Sequence, residues 1–251
     1  MPRYLLTIAY DGGDFAGWWR QPGRRTVAGE LDAALQRIGE NKAAPIGAAR
    51  TDSGVHARGQ VAQLDCQRVW DEATLCHQLN GQLPDDVVVL SAKPAPSDFK
   101  LLENISGKTY CYRFDLGQTR NPFVARTSWR PPRNPLPDLK LLNQLAEACV
   151  GQRDWQGLAR RGDHREDHHC TITTMHWEDL GPGGIERRCT IAGNRFTYRL
   201  IRSLIAVLWA SARGDLELDT FQACLNGETN ACAAHQAPAR GLCLEAVDVR
   251  L

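Results

Sequence analysis

Apolar positions recur along this chain with two different periods. Residues 3–10, RYLLTIAY, form a short apolar run that stops at Asp11-Gly12-Gly13, which predicts a buried strand followed by a turn. Over residues 26–40, Val27, Leu31, Ala34, Leu35 and Ile38 return at helical spacing, with Thr26 placed to cap the start and Gly39 to mark the end. Residues 44–52 and 59–66 read as strands on either side of the polar turn RTDSGVHA. A short helix over 71–80, a break at Leu83-Pro84-Asp85 and a strand over 86–93 follow.

The Pro-containing stretch KPAPSD at 93–98 is the expected domain boundary, dividing the chain into 1–98 and 99–251. The second part opens at 109–116, TYCYRFDL, where Tyr110, Tyr112 and Phe114 alternate as on one face of a strand. Residues 120–137 are rich in Pro and Arg and predict irregular backbone. A helix is expected over 138–150, a hairpin from 171–180 and 185–192 around Gly181-Pro182-Gly183-Gly184, and a largely buried helix over 196–212. A short helix over 219–226 and a strand over 242–250 complete the pattern. Both halves mix strands and helices in β-α-β-β-style order, which predicts two related α+β units sharing a sheet.

With 251 residues, 43% hydrophobic and 24% charged, the composition suits one large or two ordinary globular domains and excludes whole-chain disorder, collagen-like repeat or coiled coil. No apolar run approaches the ~20 residues that cross a bilayer, and the start lacks the long apolar region of a signal peptide, so a soluble, cytoplasmic protein is expected. Nine cysteines, odd in number and without C-x-x-C, predict reduced thiols, mostly buried. The net charge of +1 is uninformative, but its distribution is not. Arg outnumbers Lys 25 to 5, and the stretches 116–137 and 187–214 hold four and six arginines with no acid. Arginine suits phosphate because its planar fork donates two bonds to one anion and stacks on bases. Solvated surface arginines of a GC-rich genome are the plain alternative.

Candidate chemistry centres on Ala49-Arg50-Thr51-Asp52-Ser53-Gly54-Val55-His56-Ala57. By spacing alone, a β-turn whose aspartate bonds its own backbone accounts for this stretch. Its surroundings add to that. The stretch resembles the R-T-D-x-G-V-H-A signature of the tRNA pseudouridine synthase A (TruA) family. YDGGDFAGWWRQ at the N-terminus, LDAALQRI, LNGQLPDDV, GKTYCYRF at 107–114, NRFTYRLIRSLIAVL and the closing GLCLEAVDV are similar to further family motifs in the same order.

The resemblance implies an α+β fold: two related, sandwich-like (RRM/ferredoxin-like) units sharing a central mixed, mainly antiparallel sheet, with a basic active-site cleft. It implies isomerisation of uridine to pseudouridine in the tRNA anticodon stem-loop, at positions 38 to 40, by a homodimer that needs no cofactor or metal. Carried over by position, Asp52 is the catalytic nucleophile and Tyr110 binds beside the target base. Arg50 and Arg202 are the arginines around the aspartate. Each has a plainer reading: Tyr110 as strand core, Arg202 as a buried structural ion-pair partner, and His56 as a turn-stabilising residue. Phe15, Trp18 and Trp19 are expected in core or loop packing, and Tyr112 is the expected core tyrosine of its strand. The chain departs from the family at Trp19, Ala28-Gly29, Ala49, Lys100-Leu101-Leu102 and Leu200, which bears on substrate choice and rate.

One more cluster, Asp163-His164-Arg165-Glu166-Asp167-His168-His169-Cys170 with His176, has metal-ligand residue types but no H-E-x-x-H and no cysteine pair. It is expected to be a charged loop rather than a metal site. The rival functions are an RNA-binding homologue that has lost catalysis and a metal-dependent hydrolase using this cluster.

Overall fold

The computed structural model describes residues 1–132, 134–158 and 167–251. In chain order its strands and α-helices are β1 (Arg3–Tyr10), α1 (Val27–Arg37), β2 (Ile46–Gly47), β3 (His56–Asp65), α2 (Glu72–Asn80), β4 (Val87–Ala95) and β5 (Ile105–Asp115). There follow α3 (Leu139–Glu147), β6 (Gly151–Asp154), β7 (His169–Leu180), β8 (Glu186–Gly193), α4 (Leu200–Arg213), α5 (Leu218–Leu225) and β9 (Leu242–Val249). The chain forms two compact units, one of residues 1–107 with 243–251, the other of residues 108–242.

In the first unit β1 lies between β3 and β4, antiparallel to both, and β3 pairs in parallel with β9 through His56 with Cys243 and Ala57 with Leu244. The sheet is therefore mixed but mostly antiparallel. Leu6, Ile8, Ala62 and Leu64 are fully buried in it, as are Val27 and Leu31 of α1 and Leu75 and Leu79 of α2. The Thr26 hydroxyl accepts from Gly29 N at 3.2 Å, so the expected cap is the one that forms. The expected boundary stretch 93–98 belongs to this unit: Lys93, Pro94 and Ala95 pair with β1, and Phe99 and Leu101 join Leu5 and Ala48 in an apolar cluster. The compact unit thus runs past residue 98 to Gly107 and regains the last nine residues.

In the second unit β8 lies between β5 and β7, and β6 pairs with the other side of β7, all antiparallel. Tyr112, Phe114, Trp177 and Trp209 build its centre. The Phe114 ring stacks on Trp209 at 4.6 Å and 12°, and meets Trp177 at 5.3 Å and Tyr112 at 5.0 Å. Such pairs contribute about 0.5–1.5 kcal/mol each beyond their burial.

β3 and β5 start earlier than expected, at His56 and Ile105, and three further differences have a local reason. The strand expected over 44–52 shrinks to Ile46–Gly47, because a side chain, Gln60, takes the place of a strand partner at Ala49. The helix expected from 196 starts at Leu200, because Arg199 takes left-handed angles (φ 61°, ψ 8°) that a right-handed helix cannot include. The short strand β6 is polar (GQRD) and carries no apolar alternation to announce it.

Among the described residues no helix is long and apolar enough to cross a membrane. All nine cysteines are free, and all but Cys76 are buried, as expected of reduced thiols.

Candidate active site

The turn carrying Asp52 is built by contacts from residues 10–18 and from β3. Val55 N donates to Asp52 O at 3.1 Å, closing a four-residue turn whose third residue, Gly54, takes φ 78°. Gly54 N and Ser53 Oγ both donate to Phe15 O, at 3.3 and 3.2 Å. Trp18 N donates to Thr51 O at 3.1 Å. Gly12 and Gly17 make this approach possible: a Cβ on Gly12 would lie 2.0 Å from Val55 O, and one on Gly17 2.6 Å from Thr51 O. The loop YDGGDFAGW thus lies flush against the turn.

On the other side of the turn, fully buried Gln60 donates from Nε2 to Ala49 O at 2.6 Å and accepts at Oε1 from Ala49 N at 3.0 Å. The Tyr10 hydroxyl shares a 2.7 Å hydrogen bond with Thr51 Oγ1. Burial raises the Tyr10 phenol well above its ordinary pKa, so it stays protonated at neutral pH. His56 Nδ1 accepts from Gly12 N at 3.1 Å, which is the turn-stabilising part expected of it.

Arg50 is exposed, and its guanidinium lies 5.0 Å from the centre of the Trp19 ring. Arg20 approaches the same ring at 5.8 Å. Phe15 and Trp18 are core residues, and Trp19, 44% exposed with two guanidiniums against its ring, takes the loop-packing half of the same expectation.

The second unit holds Tyr110 and Arg202. Tyr110 is nearly buried on β5, edge-on to Phe196 at 5.5 Å and 89°. Arg202, in the first turn of α4, donates from Nε to Ala237 O at 2.8 Å. Tyr112, the expected core tyrosine, is fully buried and donates to Pro238 O at 2.8 Å. Gly241 lets the segment before β9 lie on it, since a Cβ there would meet the Tyr112 ring at 2.5 Å.

A sequence profile described as tRNA pseudouridine synthase matches residues 6–101 and 145–248, covering the Asp52 turn, the α4 arginines and the closing strand. The chain belongs to this family. It is 36% identical over 252 residues to tRNA pseudouridine synthase A of Cutibacterium acnes, spanning 98% of this chain and 88% of that one. It is 33% identical over 250 residues to the protein of the same name from Maridesulfovibrio salexigens, spanning 98% and 90%. With that of Latilactobacillus sakei it shares 34% over 248 residues, spanning 98% of both.

The residues expected to depart from the family pattern differ in burial, with Gly29 half-buried. Ala49, Ala28, Leu101 and Leu200 are buried, so they bear on packing. Trp19, Lys100 and Leu102 are exposed, and Lys100 pairs with Glu103 at 2.9 Å.

The stretch 187–214 is acid-free in sequence but not in space. β7 lies beside β8 and supplies the missing carboxylates: Arg187, itself buried, pairs with Asp179 at 2.5 Å, and Arg188 with Glu178 at 2.7 Å. Arg195 pairs with Asp167 at 2.6 Å and Arg213 with Asp215 at 2.7 Å. Adjacent strands bring together what sequence order keeps apart, so arginine-rich sequence overstates the free positive surface.

Arg133 and residues 163–166 of the His-containing cluster lie outside the described residues. Of the rest of that cluster, His168 and Cys170 are buried, His169 Nδ1 lies 3.2 Å from Asp167, and His176 is exposed. Among the described residues no group of three or more His, Cys, Asp or Glu side chains could hold a metal ion.

Proposed function

We propose that this protein isomerises uridine to pseudouridine in the anticodon stem-loop of tRNA, at positions 38 to 40, with Asp52 as nucleophile. The observation that carries the reading is the Arg50-Thr51-Asp52-Ser53-Gly54-Val55-His56-Ala57 turn, held from both sides, in a chain whose family profile spans both units.

The reaction breaks the glycosidic C–N bond and rejoins the same base to the same sugar through C5, with the C5 proton lost and N1 protonated. Nothing is consumed, so a nucleophile, a proton path and a way to hold the base suffice. An aspartate with a free-solution pKa of ~3.9 is ionised at neutral pH and can attack the sugar or the base. Arg50 and Arg202 serve as cations that keep that carboxylate ionised when RNA excludes water. Tyr110 serves as the aromatic against the flipped uracil, its phenol placed to relay the C5 proton. Extruding the base costs a few kcal/mol, which contacts to the RNA backbone offset. The protein works as a homodimer in the cytoplasm, and sedimentation equilibrium tests the dimer.

The deciding experiment is Asp52→Asn assayed on a tRNA transcript. The amide is nearly isosteric but is no nucleophile. Isomerisation is expected to vanish while tRNA affinity stays within about tenfold, ~1.4 kcal/mol. Turnover close to wild type would remove Asp52 from the mechanism. Tight binding by a wild-type protein that forms no pseudouridine would favour the non-catalytic RNA-binding alternative.

A further inference from the structure

A pocket in the second unit has no part in the chemistry above. It is a cavity of about 360 Å³ lined by Asp115, Arg120, Ala125, Ser128, Arg130 and Arg240. Its three guanidiniums and one carboxylate leave a formal excess of two positive charges.

The four charged groups divide into a frame and a mouth. Arg130 is spent internally: its Nη1 donates to Asp115 at 3.0 Å and to Thr119 O at 3.1 Å, and its Nη2 to Gly117 O and Gln118 O at 2.9 and 3.0 Å. Asp115 is likewise engaged, accepting from Gly117 N, Asn121 N and Arg130. It therefore presents little uncompensated charge to an incoming anion. This frame ties residues 117–121 to Asp115 and Arg130.

The mouth is different. Arg120 is exposed and has no hydrogen-bond or ion-pair partner among the described residues. Arg240 donates only its Nε, to Ser128 O at 3.2 Å, which aims the guanidinium and leaves both terminal nitrogens unbonded among the described residues. Two guanidiniums facing one small cavity are a costly arrangement in isolation, because like charges repel. A bound dianion or phosphodiester relieves it and takes charge-assisted bonds from both.

We propose that this pocket binds one phosphate group of the substrate RNA, gripped between Arg120 and Arg240. The same loop favours RNA over a free anion. Phe123, three residues after Arg120, is 94% exposed, an unfavourable position for a phenyl ring in water and a suitable one for stacking on an unpaired base. The choice of RNA as the phosphate source rests on the tRNA reading above. The affinity for phosphate does not.

The test compares wild type with Arg120→Ala/Arg240→Ala, with Arg120→Gln as a milder second variant at a residue holding no structural contact. Arg37→Ala, on α1, controls for the loss of one charge. Affinity for a tRNA transcript is measured across a salt series, and binding of inorganic phosphate by calorimetry. The double variant should lose at least tenfold in tRNA affinity and show a log–log salt slope shallower by about one, since the counterions released at each phosphate contact contribute roughly 0.7–0.9. Arg120→Gln should show part of this, and Arg37→Ala none. A folded double variant with wild-type affinity and slope overturns the proposal, as does an equal loss in Arg37→Ala. Phosphate binding that the double variant abolishes, with tRNA affinity unchanged, overturns RNA as the source. Pseudouridine formation by the wild type, measured on the same transcript, reads the proposed function separately from the pocket.

Discussion

Gln60 grips Ala49 by both ends of its amide, standing in for the strand neighbour that Ala49 lacks. The pairing holds the chain three residues before Asp52, so the turn starts from a fixed point rather than from a free loop end. Gln60→Leu keeps the volume but leaves the Ala49 N–H and C=O buried without partners, at about 1–3 kcal/mol per group. A lowered melting temperature and a reduced single-turnover rate are expected, with tRNA affinity nearly unchanged. A variant that melts lower yet turns over at the wild-type rate would show that the turn keeps its shape without this clamp.

Tyr110 meets Phe196 edge-on, a ring contact that a phenylalanine at this position keeps. Tyr110→Phe should therefore fold and bind tRNA like the wild type while losing turnover. Tyr110→Ala should lose both turnover and packing. Full activity in Tyr110→Phe with none in Tyr110→Ala would reduce the residue to its ring.

Arg187 is a fold residue by its contacts, tied to Asp179 and to Pro137 O. Arg187→Ala should lower the melting temperature and leave the salt dependence of tRNA binding unchanged. A flattened salt slope in a variant of wild-type stability would place Arg187 on the RNA surface instead.

Asp115 gives a pH dependence of known sign. Burial pushes its carboxyl up, but bonds from Gly117 N–H, Asn121 N–H and Arg130 outweigh that and hold it below the usual carboxylate range. Its folded pKa thus lies below the unfolded one. The ionised form contributes stability that is fully present above the unfolded value of ~3.9 and fades as pH falls through the folded value. The stability gap between wild type and Asp115→Asn should be flat from about pH 6 to 8 and close below about pH 4. A gap that persists at low pH would assign the effect to packing.

Burial raises the thiols, Cys66 and Cys149 to about 12 and Cys170 to about 11. A thiol with so little thiolate at pH 8 reacts slowly. The native protein should take up a thiol reagent slowly, first at half-buried Cys76, and all nine sites should react at once in denaturant. Rapid native labelling beyond one site would mean that the core opens readily.

Legibility in the sequence followed the range of the forces involved. Elements made by local periodicity and capping, such as α1 with Thr26 or the hairpin of β7 and β8, could be read because their causes lie within a few residues. The turn at Asp52 could be located by its residues, yet its supports could not. Gln60 is eleven residues from Ala49, and Gly12 is 43 from Val55, where its missing side chain matters. Arg199 gave no sign that it would take left-handed angles, since nothing in its type requires them. The exposure of Trp19 was hidden by its neighbour: Trp18 is buried and Trp19 is not, and two adjacent identical residues carry no mark of which faces out. The arginine stretches hid part of their pairing likewise, because the carboxylates of Arg187 and Arg188 arrive from β7.

The parallel pairing of His56 with Cys243 and Ala57 with Leu244 has a consequence for the order of synthesis. The Asp52 turn is translated in the first quarter of the chain, yet the strand beside its exit is among the last segments made. A nascent chain interrupted before residue 243 carries every residue of the turn, but His56 and Ala57 lack the β9 partner and keep only the β1 side of β3. Completion of the first unit therefore waits for the second to be made. A ribosome that stops early should release a fragment with Asp52 and an unfinished sheet, open to proteases and not yet competent on RNA.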